Sequence, residues 1–124
     1  MKTTEAATLR GQFRRSKYGA IRTTVDGIVF ASKAEARRYG ELRLMEKAGQ
    51  ISNLELQPRL SISIKGIHIC NVLFDFLYFT GGPGTWQDHY EDVKGRDNAL
   101  SRLKRKLVEA QYGIKVKLIR YGHG

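Results

Sequence analysis

Three side chains in the second half of the chain have the types and spacing for chemistry around a metal ion: Asp75, Asp92 and Lys94. Asp75 stands inside Val72-Leu73-Phe74-Asp75-Phe76-Leu77, an apolar strand pattern in which burying a charge is costly unless something meets it. An arginine or a set of backbone donors would make Asp75 structural, whereas a cation shared with a second acid would make it functional. Tyr90-Glu91-Asp92-Val93-Lys94-Gly95 supplies that second acid. On a strand, Asp92 and Lys94 project from one face, about 6 to 7 Å apart along the chain. The Gly81-Gly82-Pro83-Gly84 connection is a hairpin loop rather than a phosphate cradle, since no Gly-Lys-Ser/Thr ending follows it. It makes the two strands antiparallel neighbours, so Asp75 lies beside Asp92 when the register cooperates. Two carboxylates so close repel each other and raise one pKa unless a cation joins them. Mg²⁺, which takes hard oxygen ligands and keeps several waters, meets that need, and Mn²⁺ can substitute. The Lys94 ammonium then orients water or stabilises charge building on a phosphate. Two acids and a lysine fit metal-assisted phosphodiester hydrolysis better than acyl transfer or redox work. The competing reading is a Lys94–acid ion pair, which needs only one carboxylate.

The elements that must hold these groups are legible as an alternation of patterns. Ile21 to Phe30 forms a hairpin, because Asp26-Gly27 between β-branched residues suits a tight turn of positive φ. Ser32 to about Lys47 reads as a helix capped by Ser32, with Glu35 in capping-box spacing and Gly49 as its stop. Glu35, Tyr39, Leu42 and Met45/Glu46 form its inward stripe. Glu35 is therefore either a third acid or a cap that turns back on its own helix. Leu54 to Ile64 is extended, with Leu60, Ile62 and Ile64 on one face and Pro58 marking a start or an edge. Gln57, polar in that apolar approach, is a site-adjacent candidate or an amide that satisfies the backbone. In Ile69 to Phe79, Cys70, Val72, Phe74, Phe76 and Tyr78 project one way and Asn71, Leu73, Asp75, Leu77 and Phe79 the other. Trp86 to Lys94 is the next strand. Asp97 caps a second helix with Leu100, Leu103, Leu107 and Ala110 as its buried stripe and Gly113 as its stop. Ile114 to Ile119 is the last strand. The order predicts an α/β domain, bordering on α+β, with a central mixed sheet flanked by helices and preceded by a β-hairpin.

Charge narrows the partner. The 124 residues carry a net charge of +10, which favours a polyanion because neutralised phosphates release counterions. No apolar run reaches bilayer length and no signal-peptide pattern opens the chain, so nucleic acid is expected over membrane. The lone cysteine, Cys70, fits a reducing compartment, and the expected location is cytoplasmic. Residues 1–17 read as a basic arm, 18–120 as one domain and 121–124 as a tail. Arg14, Arg15 and Lys17 of the arm, Arg22 of the hairpin, and Arg102, Lys104, Arg105 and Lys106 of the second helix are the candidate backbone contacts; a frayed terminus and a solvated helix face are the alternatives. Trp86 and Tyr121 are either packing residues or platforms for exposed bases. His68, His89 and His123 lack metal-ligand spacing.

Helix-Glu, strand-Asp, then Asp-x-Lys, followed by a helix and a strand, resembles the PD-(D/E)XK nuclease superfamily. Val25 to Tyr39, with Leu54-Glu55-Leu56-Gln57-Pro58 after it, resembles a small phage-encoded, junction-resolvase-like branch, and the likeness runs from Lys17 to Ile119. Phe74 stands where the motif's name places proline. The resemblance implies a restriction-endonuclease-like αβββαβ core, with Glu35 as the acid of the first helix, Asp75 as the acid of the second core strand, and Asp92 and Lys94 as the (D/E)-x-K pair. It further implies Mg²⁺ held by Asp75, Asp92 and Glu35, endonuclease action on branched or recombining phage DNA in the host cytoplasm, and a homodimer. A non-catalytic DNA-binding or recombination accessory protein on the same fold is the alternative.

Overall fold

The computed structural model describes residues 21–121. Arg14, Arg15 and Lys17, with the rest of the expected arm, and residues 122–124 of the expected tail lie outside the described residues. The described residues divide into two compact units, one ending at Glu41 and the other beginning at Leu42. In the first, β1 (Thr23–Val25) and β2 (Ile28–Phe30) pair antiparallel through a turn at Asp26 and Gly27. Both turn residues have positive φ, 54° and 75°, as a two-residue hairpin turn matching the strand twist requires. α1 (Lys33–Lys47) begins after Ser32, whose Oγ accepts the Glu35 amide at 3.2 Å. The Phe30 and Tyr39 rings meet at 5.0 Å, and the Tyr39 hydroxyl donates to Asp26 at 3.0 Å, tying turn to helix. α1 ends on Gly49 (φ 79°), where the Gly49 and Gln50 amides close onto the Glu46 and Met45 carbonyls, the paired arrangement that a left-handed residue permits.

The second unit holds β3 (Ser52–Leu56), β4 (Arg59–Ile64), β5 (Ile67–Leu73), β6 (Phe76–Thr80), β7 (Gln87–Val93), α2 (Ala99–Tyr112) and β8 (Val116–Ile119). A four-stranded mixed sheet runs β3-β6-β7-β8, with β7 and β8 parallel, and β4 pairs β5 separately. The class expected from sequence, a mixed α/β chain with a central mixed sheet, is the one observed. One apolar core joins Ile62, Val72, Phe74, Val108 and Val116, with Tyr90 and Leu107 packed against it.

Two expectations are corrected. Ile69–Phe79 is not one evenly alternating strand, because β5 and β6 belong to different sheets and meet at Phe74-Asp75. The Asp75 amide donates to the Glu91 carbonyl at 3.0 Å, while Phe76 is the ladder partner of Glu91. The β6–β7 ladder thus ends at Phe76, Asp75 stands in a bend between β5 and β6, and alternation changes phase there. Phe74 points into the core beside Tyr90. Leu77 is the cross-strand partner of Tyr90 and shares that face. Phe76 and Tyr78, paired with Glu91 and His89, occupy the other face. The extended run around Pro58 breaks at the same level, where the Gln57 amide bonds to the Asp75 carbonyl and the Phe74 amide to the Pro58 carbonyl.

The second correction concerns α2, whose expected stripe is mostly outside: Leu100 is 59% and Leu103 55% exposed, Ala110 is exposed, and only Leu107 of the four reaches the core. Val108 is fully buried instead. Polar bonds set this rotation. Arg105 turns in to Asp97 and Ser101 to Lys94, while Gln111 and Tyr112 bond the backbone of β4 at Ser61 and Ser63.

Candidate active site

Asp75 owes its position to the bend between β5 and β6. Its backbone bonds Gln57 on one side and Glu91 on the other, and its Oδ2 accepts the Val93 amide at 2.6 Å. A backbone donor therefore does meet this carboxylate, as the structural reading required. That same bond brings it to the residue between Asp92 and Lys94, within about 5 Å of the Asp92 Cα by peptide geometry. Gln57 sits across from Asp75 with an exposed side chain and φ of 52°, a left-handed conformation that costs a non-glycine residue about 1 kcal/mol or more.

Asp92 is buried, and its Oδ2 lies 3.1 Å from the Lys94 ammonium. Lys94 also donates to Ser101 Oγ at 3.1 Å, in the first turn of α2, and its amide bonds the Ile119 carbonyl of β8. The ammonium is thus held between a carboxylate and a hydroxyl, a role for Ser101 that sequence reading missed. A lysine two residues after an acid identifies its strand partner but not the serine that folding brings from a helix.

Asn98, not Asp97, caps α2, accepting the Ser101 amide at 2.8 Å. Asp97 is instead gripped by both guanidinium nitrogens of Arg105, at 3.1 and 2.7 Å. This bond, reinforced by the charges of Arg105, Arg102 and Lys94, holds the Asp97 carboxyl below its ordinary pKa and raises Arg105 above its own. Arg105 is consequently an internal brace and not part of an outer basic face. Arg102 is exposed and donates to the Asp97 carbonyl; Lys106 is exposed, and Lys104 and Arg22 are half-buried.

Glu35 lies with its own cap, its carboxylate accepting from the Ser32 hydroxyl at 3.3 Å. Among the described residues, no three or more His, Cys, Asp or Glu side chains are grouped to hold a metal ion. The donors present are the Asp75 and Asp92 carboxylates, brought to one stretch of β7 backbone. One or two carboxylates with the remaining positions left to water and phosphate is the usual habit of Mg²⁺, so the donor set fits it.

The opposite face of β7 carries a second polar group. Glu91 is fully buried and accepts the Tyr78 hydroxyl, Tyr78 stacks on His89, and Lys117 lies 5.9 Å over the Tyr78 ring. Burial, then the charge of Lys117, pushes the His89 pKa below its usual value, against the opposing pull of Asp88 and Glu91. Glu91 has the parity expected from sequence, away from Asp92, and it positions Asp75 through its carbonyl.

The fold and site define a mixed α/β domain with two acids and a lysine where two central strands meet. A family model described as "Protein of unknown function (DUF1064)" matches residues 15–121, and the chain belongs to that family. No curated protein and no solved structure matches it. No helix among the described residues is long and apolar enough to cross a membrane.

Proposed function

We propose that the protein is a divalent-metal-dependent endodeoxyribonuclease with a restriction-endonuclease-like αβββαβ core, acting on branched or recombining phage DNA as a homodimer. The observation that carries this is the convergence of the Asp75 carboxylate on the Val93 amide at 2.6 Å, between Asp92 and a Lys94 ammonium 3.1 Å from it. In this reading Asp75 and Asp92 hold Mg²⁺ or Mn²⁺, with Glu35 as a third acid tested separately. When bound, such an ion polarises the phosphate and lowers the pKa of water. Lys94, braced by Asp92 and Ser101, presents its ammonium to the scissile phosphate and offsets the charge that develops there. Arg22, Arg102, Lys104 and Lys106, with Arg14, Arg15 and Lys17, contact the DNA backbone without reading bases.

The test is cleavage of supercoiled plasmid and a synthetic four-way junction with Mg²⁺ or Mn²⁺. Asp75→Ala and Lys94→Ala are expected to lower the rate at least a hundredfold while DNA binding persists, and Glu35→Ala to lower it if that carboxylate leaves its cap to join the ion. Wild type that binds DNA and cuts nothing with either ion returns the protein to a non-catalytic recombination accessory. Activity retained in both single variants removes the site assignment.

A further inference from the structure

At the other end of β6 from Asp75, an open cleft of about 430 Å³ is lined by Trp86 and Phe79, by Gln50, Ser52 and Asn53, and by Glu46. That volume lies within the range of small-ligand sites, about 300 to 1,000 Å³. Its composition is selective. Trp86 is 52% exposed, an unusual position for the chain's sole tryptophan, since a large apolar ring gains by burial. The ring is not on a slack loop. Gly81 turns at φ 92°, where a Cβ would come within 2.3 Å of the Thr85 carbonyl oxygen, and Thr85 closes the turn through bonds to Gly82 in both directions. Gln50 and Asn53 are exposed amides, each able to donate and accept. Glu46, the one charged residue of the lining, is already committed to Arg43 and to the Leu54 amide.

An aromatic face, polar groups of both kinds at the rim and no uncompensated charge suit a flat, neutral, hydrogen-bonding ring, and suit a phosphate poorly. We infer that this cleft receives one unpaired nucleobase of bound DNA, stacked on Trp86 with its edge toward the Gln50 and Asn53 amides. The inference rests on the reading of DNA as the partner, which the +10 charge favours, and it sharpens the substrate class to DNA with exposed bases at a branch, gap or end. Phe79 lies four residues beyond Asp75, roughly 13 Å along the strand, a span of about four stacked nucleotides. Stacking in an intact duplex leaves no base available for the cleft.

The sole tryptophan makes the test direct. Intrinsic fluorescence is followed in EDTA, so that nothing is cut, while a 12-nucleotide single strand or the matching duplex is added. The single strand is expected to quench Trp86 saturably, with the duplex leaving the emission near its starting value. In anisotropy with a labelled strand, Trp86→Ala should weaken single-strand binding about tenfold or more and leave duplex binding unchanged, with Trp86→Phe recovering most of the loss. Equal quenching by duplex, or single-strand binding that anisotropy detects and Trp86 does not, overturns the inference, as does undiminished binding by Trp86→Ala. Cleavage is scored separately. A wild type that cuts DNA without engaging Trp86 fails this inference and keeps the nuclease; one that stacks a base and never cuts does the reverse; one that binds no DNA fails both.

Discussion

At the scale of single residues, the side chains around the site differ in how far they are spent on each other. Asp97 and Arg105 are spent, and their bond has a pH signature. Because Arg105 lowers the Asp97 pKa below its ordinary 3.8, the folded protein binds that proton less readily than the unfolded chain does. The stabilisation is fully present above 3.8, the ordinary value, and disappears as the pH falls through the folded-state pKa. Thermal melts from about pH 5 to pH 2 should show wild type losing stability across this limb. Asp97→Asn should start lower at pH 5 and slope less, and parallel curves would refute the assignment. Asp92 and Lys94 are paired as well, yet their bond differs in kind: Lys94 divides its donors between Asp92 and Ser101, and an ammonium with three donors still has one to offer a phosphate. Replacing Arg105 would loosen α2, whereas replacing Lys94 would leave Asp92 and Ser101 without their shared donor.

At the scale of elements, α2 is where the packing departs from the pattern of apolar residues, and substitutions can measure this. Leu100→Lys and Leu103→Lys together should leave the melting midpoint almost unchanged, within about 0.5 kcal/mol. Val108→Ala removes two buried methyl groups and leaves a cavity, costing about 2 kcal/mol in urea unfolding. A large loss from the leucine pair would mean that the helix face is covered in solution. The same helix explains what was legible in sequence. Its ends were, since Gly113 at φ 66° closes it through the Glu109 carbonyl, and glycine at such a position has a local cause. Its rotation was not, because it is set by Asp97–Arg105, Lys94–Ser101 and Gln111 with β4, bonds between residues that no period of 3.6 relates. The hairpin at Asp26-Gly27 and the cap at Ser32 were equally local and equally legible. Asp92 and Lys94 followed from strand parity alone. Asp75 did not, since strict alternation would have set it directly opposite Asp92, and the bend between β5 and β6 turns its carboxylate to the amide of Val93 instead.

At the scale of the whole molecule, net charge is the property that any DNA partner meets first. With +10 on 124 residues, binding should weaken steeply as salt rises. Fluorescence anisotropy on a junction substrate between 50 and 300 mM salt should give a log–log slope steeper than about −3, reflecting several displaced counterions. Loss of one surface group such as Lys106→Ala should make it shallower by about one, and a slope near zero would argue against phosphate contact altogether. Charge decides the encounter, and the sheet decides how long the candidate site stays assembled. β7, which carries Asp92 and leads into Lys94, lies between β6 and β8 and is hydrogen-bonded along both edges. Strands at the margin, such as β3, can fray in ordinary thermal breathing without disturbing it. The acid and the lysine are therefore fastened to a strand held on both sides, and thermal fraying at β3 leaves their pairing intact.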